Sequence, residues 1–125
     1  MKIEHWALNV QDPLAATDWY CKNFGMRVVR QGEPPSTVRF LADDNGVKFE
    51  IYHNASAPVL DFPNLHPQTT HLAFKVEDMA KEHARLVAAG ATPIAPINKN
   101  PNGNEMAMLR DPWGLVIQLA KRPDF

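Results

Sequence analysis

Two histidines, one glutamate and one glutamine are the residues of this sequence whose types and spacing could do chemistry together. His5 opens the stretch HWALNVQD (His5 to Asp12), and His71 opens HLAFKVED (His71 to Asp78). His, Ala, Val and Asp coincide between the two, and the apolar positions Trp6/Leu72 and Leu8/Phe74 match. Farther along, DDNGVKFEIY (Asp43 to Tyr52) lies over DPWGLVIQLA (Asp111 to Ala120), which sets Glu50 over Gln118. Two imidazoles, a carboxylate and an amide carbonyl form a donor set for one divalent cation, with Zn, Ni, Co, Mn and Fe all compatible. A single His or Gln on a half-polar strand is ordinarily solvated or hydrogen-bonded. Occurrence of both pairs at matching positions of a repeat puts metal binding ahead of that plainer reading. A carboxylate facing inward without a partner is costly, and a cation accounts for Glu50.

Positioning these four residues is the work of strands and helices that the pattern makes legible. Alternation places Trp6, Leu8 and Val10 on one face of a strand and His5, Ala7 and Asn9 on the other. The same logic sets Leu72, Phe74 and Val76 against His71, Ala73 and Lys75. Each stretch ends on an Asp suited to cap a helix, and Pro13 favours the first helical position. Helices are predicted over about residues 13–24 and 79–89, stopping at Gly25 and Gly90. RVVRQ and TPIAPI read as second strands, and TVRFLA and EMAMLR as third strands. Each half therefore reads strand, helix, strand, strand, strand, and the chain is an α+β protein of two βαβββ modules. The modules are assigned to residues 1–54 and 71–122, with a Pro-rich linker at 55–70, in a single domain spanning 1–125. If a pseudo-twofold axis relates them, His5, Glu50, His71 and Gln118 face one shared cavity.

Composition narrows the class. The chain has 125 residues, 45% hydrophobic and 22% charged, with thirteen basic against fourteen acidic residues and a net charge of −1. That balance gives no electrostatic case for nucleic acid or an anionic membrane as partner. No apolar run approaches the roughly 20 residues of a spanning helix. MKIEHWALNV lacks the apolar core of a signal peptide, so a cytoplasmic location is expected. Cys21, the single cysteine, fits a reducing compartment and reads as an inert thiol.

The remaining candidates have ordinary readings. Trp19, Tyr20 and Phe24 recur at helical spacing and are assigned to the core. His53 and His83 are given surface or packing roles, and His66, in the Pro-rich segment, is not placed in the site. Arg39 either faces the cavity, where it could hold a substrate carboxylate, or lies at the surface. Lys99 belongs to the turn NKNPNGN, whose Asn-Gly is a hairpin signal. Asp43 and Asp111 serve their turns. No phosphate loop, nucleophile elbow or paired-Cys zinc motif is present.

His5 with NVQD, DWYCKNFGM (Asp18 to Met26), FEIY, THLAFKVED, LVAAGA and DPWGLVIQL occur in an order that resembles the vicinal oxygen chelate superfamily. That group includes glyoxalase I, methylmalonyl-CoA epimerase, extradiol dioxygenases and the fosfomycin- and bleomycin-resistance proteins. The resemblance covers essentially the whole chain. It implies paired βαβββ units forming an eight-stranded, incompletely closed barrel around a metal, with His5, Glu50, His71 and Gln118 as ligands. It also implies a homodimer and a small-molecule substrate. Glyoxalase-like enzymes and epimerases usually carry Glu on the last strand, where Gln118 stands here. An amide cannot accept a proton at neutral pH, which leaves Glu50 as the candidate base.

The activity implied is that of a metal-dependent, glyoxalase-like lyase or isomerase acting on an oxygen-chelating substrate through an enediolate. The alternative is a non-enzymatic binding protein of the bleomycin-resistance kind. A non-haem iron dioxygenase ranks last, because in those relatives the carboxylate is on the final strand.

Overall fold

Asp12 accepts a hydrogen bond from the Ala15 N–H at 3.0 Å, and Asp78 accepts one from the Lys81 N–H at 3.1 Å. Each satisfies a backbone donor that the first helical turn leaves without a partner. The helices so capped are α1 (Pro13–Phe24) and α2 (Met79–Ala88), within a residue of the sequence expectation. The computed structural model describes residues 1–123. They fall into two compact units, one of Met1–Leu60 and the other from Asp61 onward.

In the first unit, β1 (Trp6–Asn9), β2 (Arg27–Gln31), β3 (Arg39–Ala42) and β4 (Lys48–Tyr52) form one open sheet of order β1-β4-β3-β2. β1 runs parallel to β4, and the other neighbours are antiparallel. Helix α1 covers one face of this sheet. Leu41 and Ile51 are fully buried there, and Tyr20 meets Phe49 edge-on with ring centroids 5.5 Å apart. Trp19 and Phe24 complete this aromatic cluster, each within 5.5 Å of Tyr20. Trp6, expected beneath the helix, does stack on Phe49 at 5.2 Å, yet it keeps 39% of its surface exposed. It sits on the edge strand, where α1 no longer reaches over it.

The second unit repeats the plan. β5 (Leu72–Lys75), β6 (Thr92–Pro93), β7 (Asn98–Lys99), β8 (Glu105–Arg110) and β9 (Val116–Lys121) form a sheet of order β5-β9-β8-β6, with β7 also on β8. β5 runs parallel to β9. Met79 and Leu86 of α2 are buried against Leu109, Ile117 and Leu119. The α+β architecture of two βαβββ modules is therefore the one the repeat implies.

One strand differs from expectation. TPIAPI is not continuous: β6 ends at Pro93, and pairing resumes only at Asn98. Pro93 and Pro96 have no N–H for the ladder, which breaks it into two short pieces. Ile94 still donates to the Met108 carbonyl at 2.9 Å, so the segment stays beside β8.

The Pro-rich segment divides between the units. Asn9 accepts from the Asn54 N–H at 2.8 Å and donates to the Ala57 carbonyl at 3.0 Å, tying residues 54–57 to the first. Arg110 donates to the carbonyls of Phe62 and Leu65, both at 2.7 Å, and to that of Gly114 at 2.8 Å. These bonds fix a short 3₁₀ turn, Phe62–Asn64, on the second unit, with Phe62 buried. Asp111 and Asp43 shape the turns before β9 and β4 as expected. Asp111 accepts from Trp113 and Leu115, both at 2.9 Å, and Asp43 from Val47 at 2.8 Å.

Candidate metal centre

The register of each parallel strand pair decides where the four residues stand. In the first unit Ala7 lies directly opposite Glu50, and in the second Ala73 lies directly opposite Gln118. The histidine two residues before each alanine, on the same face, is thus diagonal to the oxygen donor of the neighbouring strand. The two units build the same diagonal from His5 with Glu50 and from His71 with Gln118.

In the first unit the diagonal closes. His5 Nε2 lies 3.3 Å from Glu50 Oε2, with the two side chains 34% and 19% exposed. His5 Nδ1 contacts the carboxylate of Glu4. Its ring meets the edge of Phe40 at 5.3 Å, and Phe40 pairs with Glu50 across β3 and β4. The hydrogen bond to His5 holds the Glu4 carboxyl below its usual range, against the opposing effect of desolvation. With Nδ1–H directed at Glu4, a neutral His5 ring presents the Nε2 lone pair to a carboxylate oxygen. Two acceptors facing each other call for a cation or a proton between them. Donors bound to one ion at about 2.0–2.2 Å stand about 3.0–3.4 Å apart, and 3.3 Å lies in that range. The carboxylate–imidazole contact on the far side is the arrangement that orients metal-binding histidines. The donor chemistry fits a divalent cation.

In the second unit His71 and Gln118 line one cavity of about 510 Å³. Met108 pairs with Gln118 across β8 and β9, the position Phe40 holds opposite Glu50. Among the described residues no group of three or more His, Cys, Asp or Glu side chains is placed to hold a metal ion. At the matched positions each unit sets one imidazole diagonal to one oxygen donor.

The other candidates resolve into structural roles. Arg39 Nη1 donates to the Gly32 and Val38 carbonyls at 2.8 and 2.9 Å, which anchors its own strand. Lys99 pairs with Glu105 at 3.2 Å across the β7–β8 hairpin. His53 Nδ1 lies 2.8 Å from the Val10 carbonyl. The Cys21 thiol is pushed up by burial and by the neighbouring Asp18 charge, which keeps it protonated and unreactive. His66, left out of the site by sequence reasoning, lines the same cavity as His71. Its neighbour Gln68 donates a backbone N–H to Nδ1 at 3.2 Å. Glu4 and Met108 were also missed. Met106 and Met108 could have been found from their alternation on the strand that pairs with Gln118, whereas Glu4 precedes the regular strand and follows no period.

The chain repeats one βαβββ plan, each copy with a His immediately before its first strand and an oxygen donor on its last. The chain belongs to the Glyoxalase/Bleomycin resistance protein/Dioxygenase superfamily, whose model matches residues 2–119. Among solved structures it is similar to the protein SMU.1112c, at 26% identity and a TM-score of 0.75 over 97% of this chain and 98% of that one. A glyoxalase family protein from Enterococcus faecalis shares 26% identity with a TM-score of 0.73, over 96% and 97% of the two chains. A glyoxalase I mutant from Zea mays shares the fold, at 22% identity and a TM-score of 0.76, over 97% of this chain and 45% of that one. No curated protein matches the chain. Among the described residues no helix is long and apolar enough to cross a membrane.

Proposed function

We propose that His5, Glu50, His71 and Gln118 together hold one divalent cation, and that the protein is a metal-dependent lyase or isomerase of the glyoxalase type. The observation that carries this reading is the 3.3 Å approach of His5 Nε2 to Glu50, together with its counterpart diagonal at His71 and Gln118. These four residues would hold the cation, which would supply Lewis-acid stabilisation to the oxygens of a small substrate. Glu50, the one carboxylate of the set, takes the proton from the substrate carbon. His5, braced by Glu4 and the Phe40 ring, keeps that carboxylate in place. Gln118 orients substrate or cation through its carbonyl and moves no proton.

Gln118 is also what favours the second reading, a protein that binds a small molecule without turning it over. Metal affinity and hemithioacetal isomerase activity separate the two. Gln118→Ala should weaken metal binding less than His71→Ala, because an amide oxygen is a poorer donor than imidazole for these ions. Gln118→Glu should tighten it by adding a second carboxylate, which brings the net charge of the loaded site from about +1 to about zero. Unchanged affinity in Gln118→Ala removes Gln118 from the ligand set and turns the account toward a binding protein. The proposal includes a homodimer, which rests on the likeness to the superfamily. Light scattering should give twice the 14.0 kDa chain mass; a monomer at all concentrations rules the dimer out.

A further inference from the structure

The cavity of the second unit says what kind of molecule its site accepts. His71 and Gln118 stand on the β5–β9 part of its wall, and Met106, Met108, Ile94 and Pro96 add apolar surface to it. No Lys, Arg, Asp or Glu is among its lining residues. The nearby charges are engaged elsewhere: Lys99 pairs with Glu105, and Arg110 donates to three backbone carbonyls. Beyond His66, His71 and the cation proposed beside them, a carboxylate or phosphate on the body of a ligand would meet thioether and aliphatic surface with no Lys or Arg among the lining residues. Methionines adapt to irregular shapes and make favourable contacts with aromatic rings. The polar lining groups include His66. Because its Nδ1 accepts from the Gln68 N–H, the neutral ring carries its proton on Nε2 and can donate to a ligand oxygen.

We infer that this cavity takes an uncharged ligand with an aryl body and a hydrogen-bond acceptor, the aryl group lying against Met106 and Met108. The inference names the substrate class for the function proposed above. It rests on that reading only in setting the vicinal oxygens beside His71 and Gln118.

The test uses the full-length protein with ¹³C-labelled methionine methyls, in chelator, so that binding is read without metal or turnover. Three probes carry the same vicinal oxygens. 2-Hydroxyacetophenone is uncharged and aryl, glycolaldehyde lacks the aryl body, and 4-(hydroxyacetyl)benzoate adds a carboxylate at the far end of the ring. 2-Hydroxyacetophenone should shift the Met106 and Met108 signals saturably, and the other two should bind at least about tenfold more weakly. Met108→Lys should reverse the order of the two aryl probes. Equal or tighter binding of glycolaldehyde or the benzoate by wild type overturns the inference, as does the absence of any shift with 2-hydroxyacetophenone. Loss of metal binding with the probe order intact sinks the enzymatic reading alone. Metal binding with the reverse probe order sinks only this inference.

Discussion

Replacing His5 and His71 together by alanine should lower affinity for a divalent cation at least about a thousandfold and abolish any metal-dependent activity. Loss of a group that merely orients a metal ligand costs about 10–100-fold, and in the proposed site this double change would remove two ligands outright. The fold should survive it. Both residues immediately precede their strands and contribute little to either core, and exposed substitutions of that kind change stability by about 0.5 kcal/mol or less. Isothermal titration of apo proteins at one pH checks the claim. His53→Ala is the control, since His53 serves the Val10 carbonyl and should leave metal affinity unchanged.

Gly114→Ala should destabilise the protein by about 3 kcal/mol. Gly114 has φ of 94°, in the left-handed region, and a Cβ there would stand 2.5 Å from the Pro63 backbone nitrogen. That neighbour cannot turn aside as a side chain would. It belongs to the Phe62–Asn64 turn, which Arg110 clamps through three carbonyls, Gly114's own included. The whole turn must move, and His66 and Pro67 of the cavity wall lie just beyond it. Gly46 makes the comparison: its φ is 80°, but a Cβ would meet nothing within 4 Å. Gly46→Ala should therefore cost only the conformational strain of about 1 kcal/mol. Urea denaturation of the three proteins gives the difference directly, and equal losses in both variants would mean that the Pro63 contact is yielding.

The parts of this structure that were legible in the sequence are those governed by local periodicity. Asp12 and Asp78 announced the helix starts because a cap is a one-residue interaction with the next turn. Alternation put His5 and Glu50, and His71 and Gln118, on matched positions because strand faces alternate with a period of two. What escaped were interactions made by irregular chain. Arg110 looks like any strand-end cation, yet its guanidinium organises the turn near the cavity because that turn's carbonyls have no ladder partner. Glu4 lies outside the strand that positions His5, so no period relates the two. TPIAPI alternated convincingly, but its prolines lack the donors that a strand beside β8 needs. Arg39 had two readings open, and the carbonyls of Gly32 and Val38 settled it.

The central claim is that four residues from the two βαβββ units serve one ion. The most direct measurement follows the imidazole ¹⁵N signals of all five histidines while the apo protein is titrated with Zn. The account predicts that the His5 and His71 signals move together and reach their end points at one equivalent per chain, while His53 and His83 hold still. If only one of His5 and His71 responds, or if the two saturate at different zinc concentrations, the four residues do not form one site.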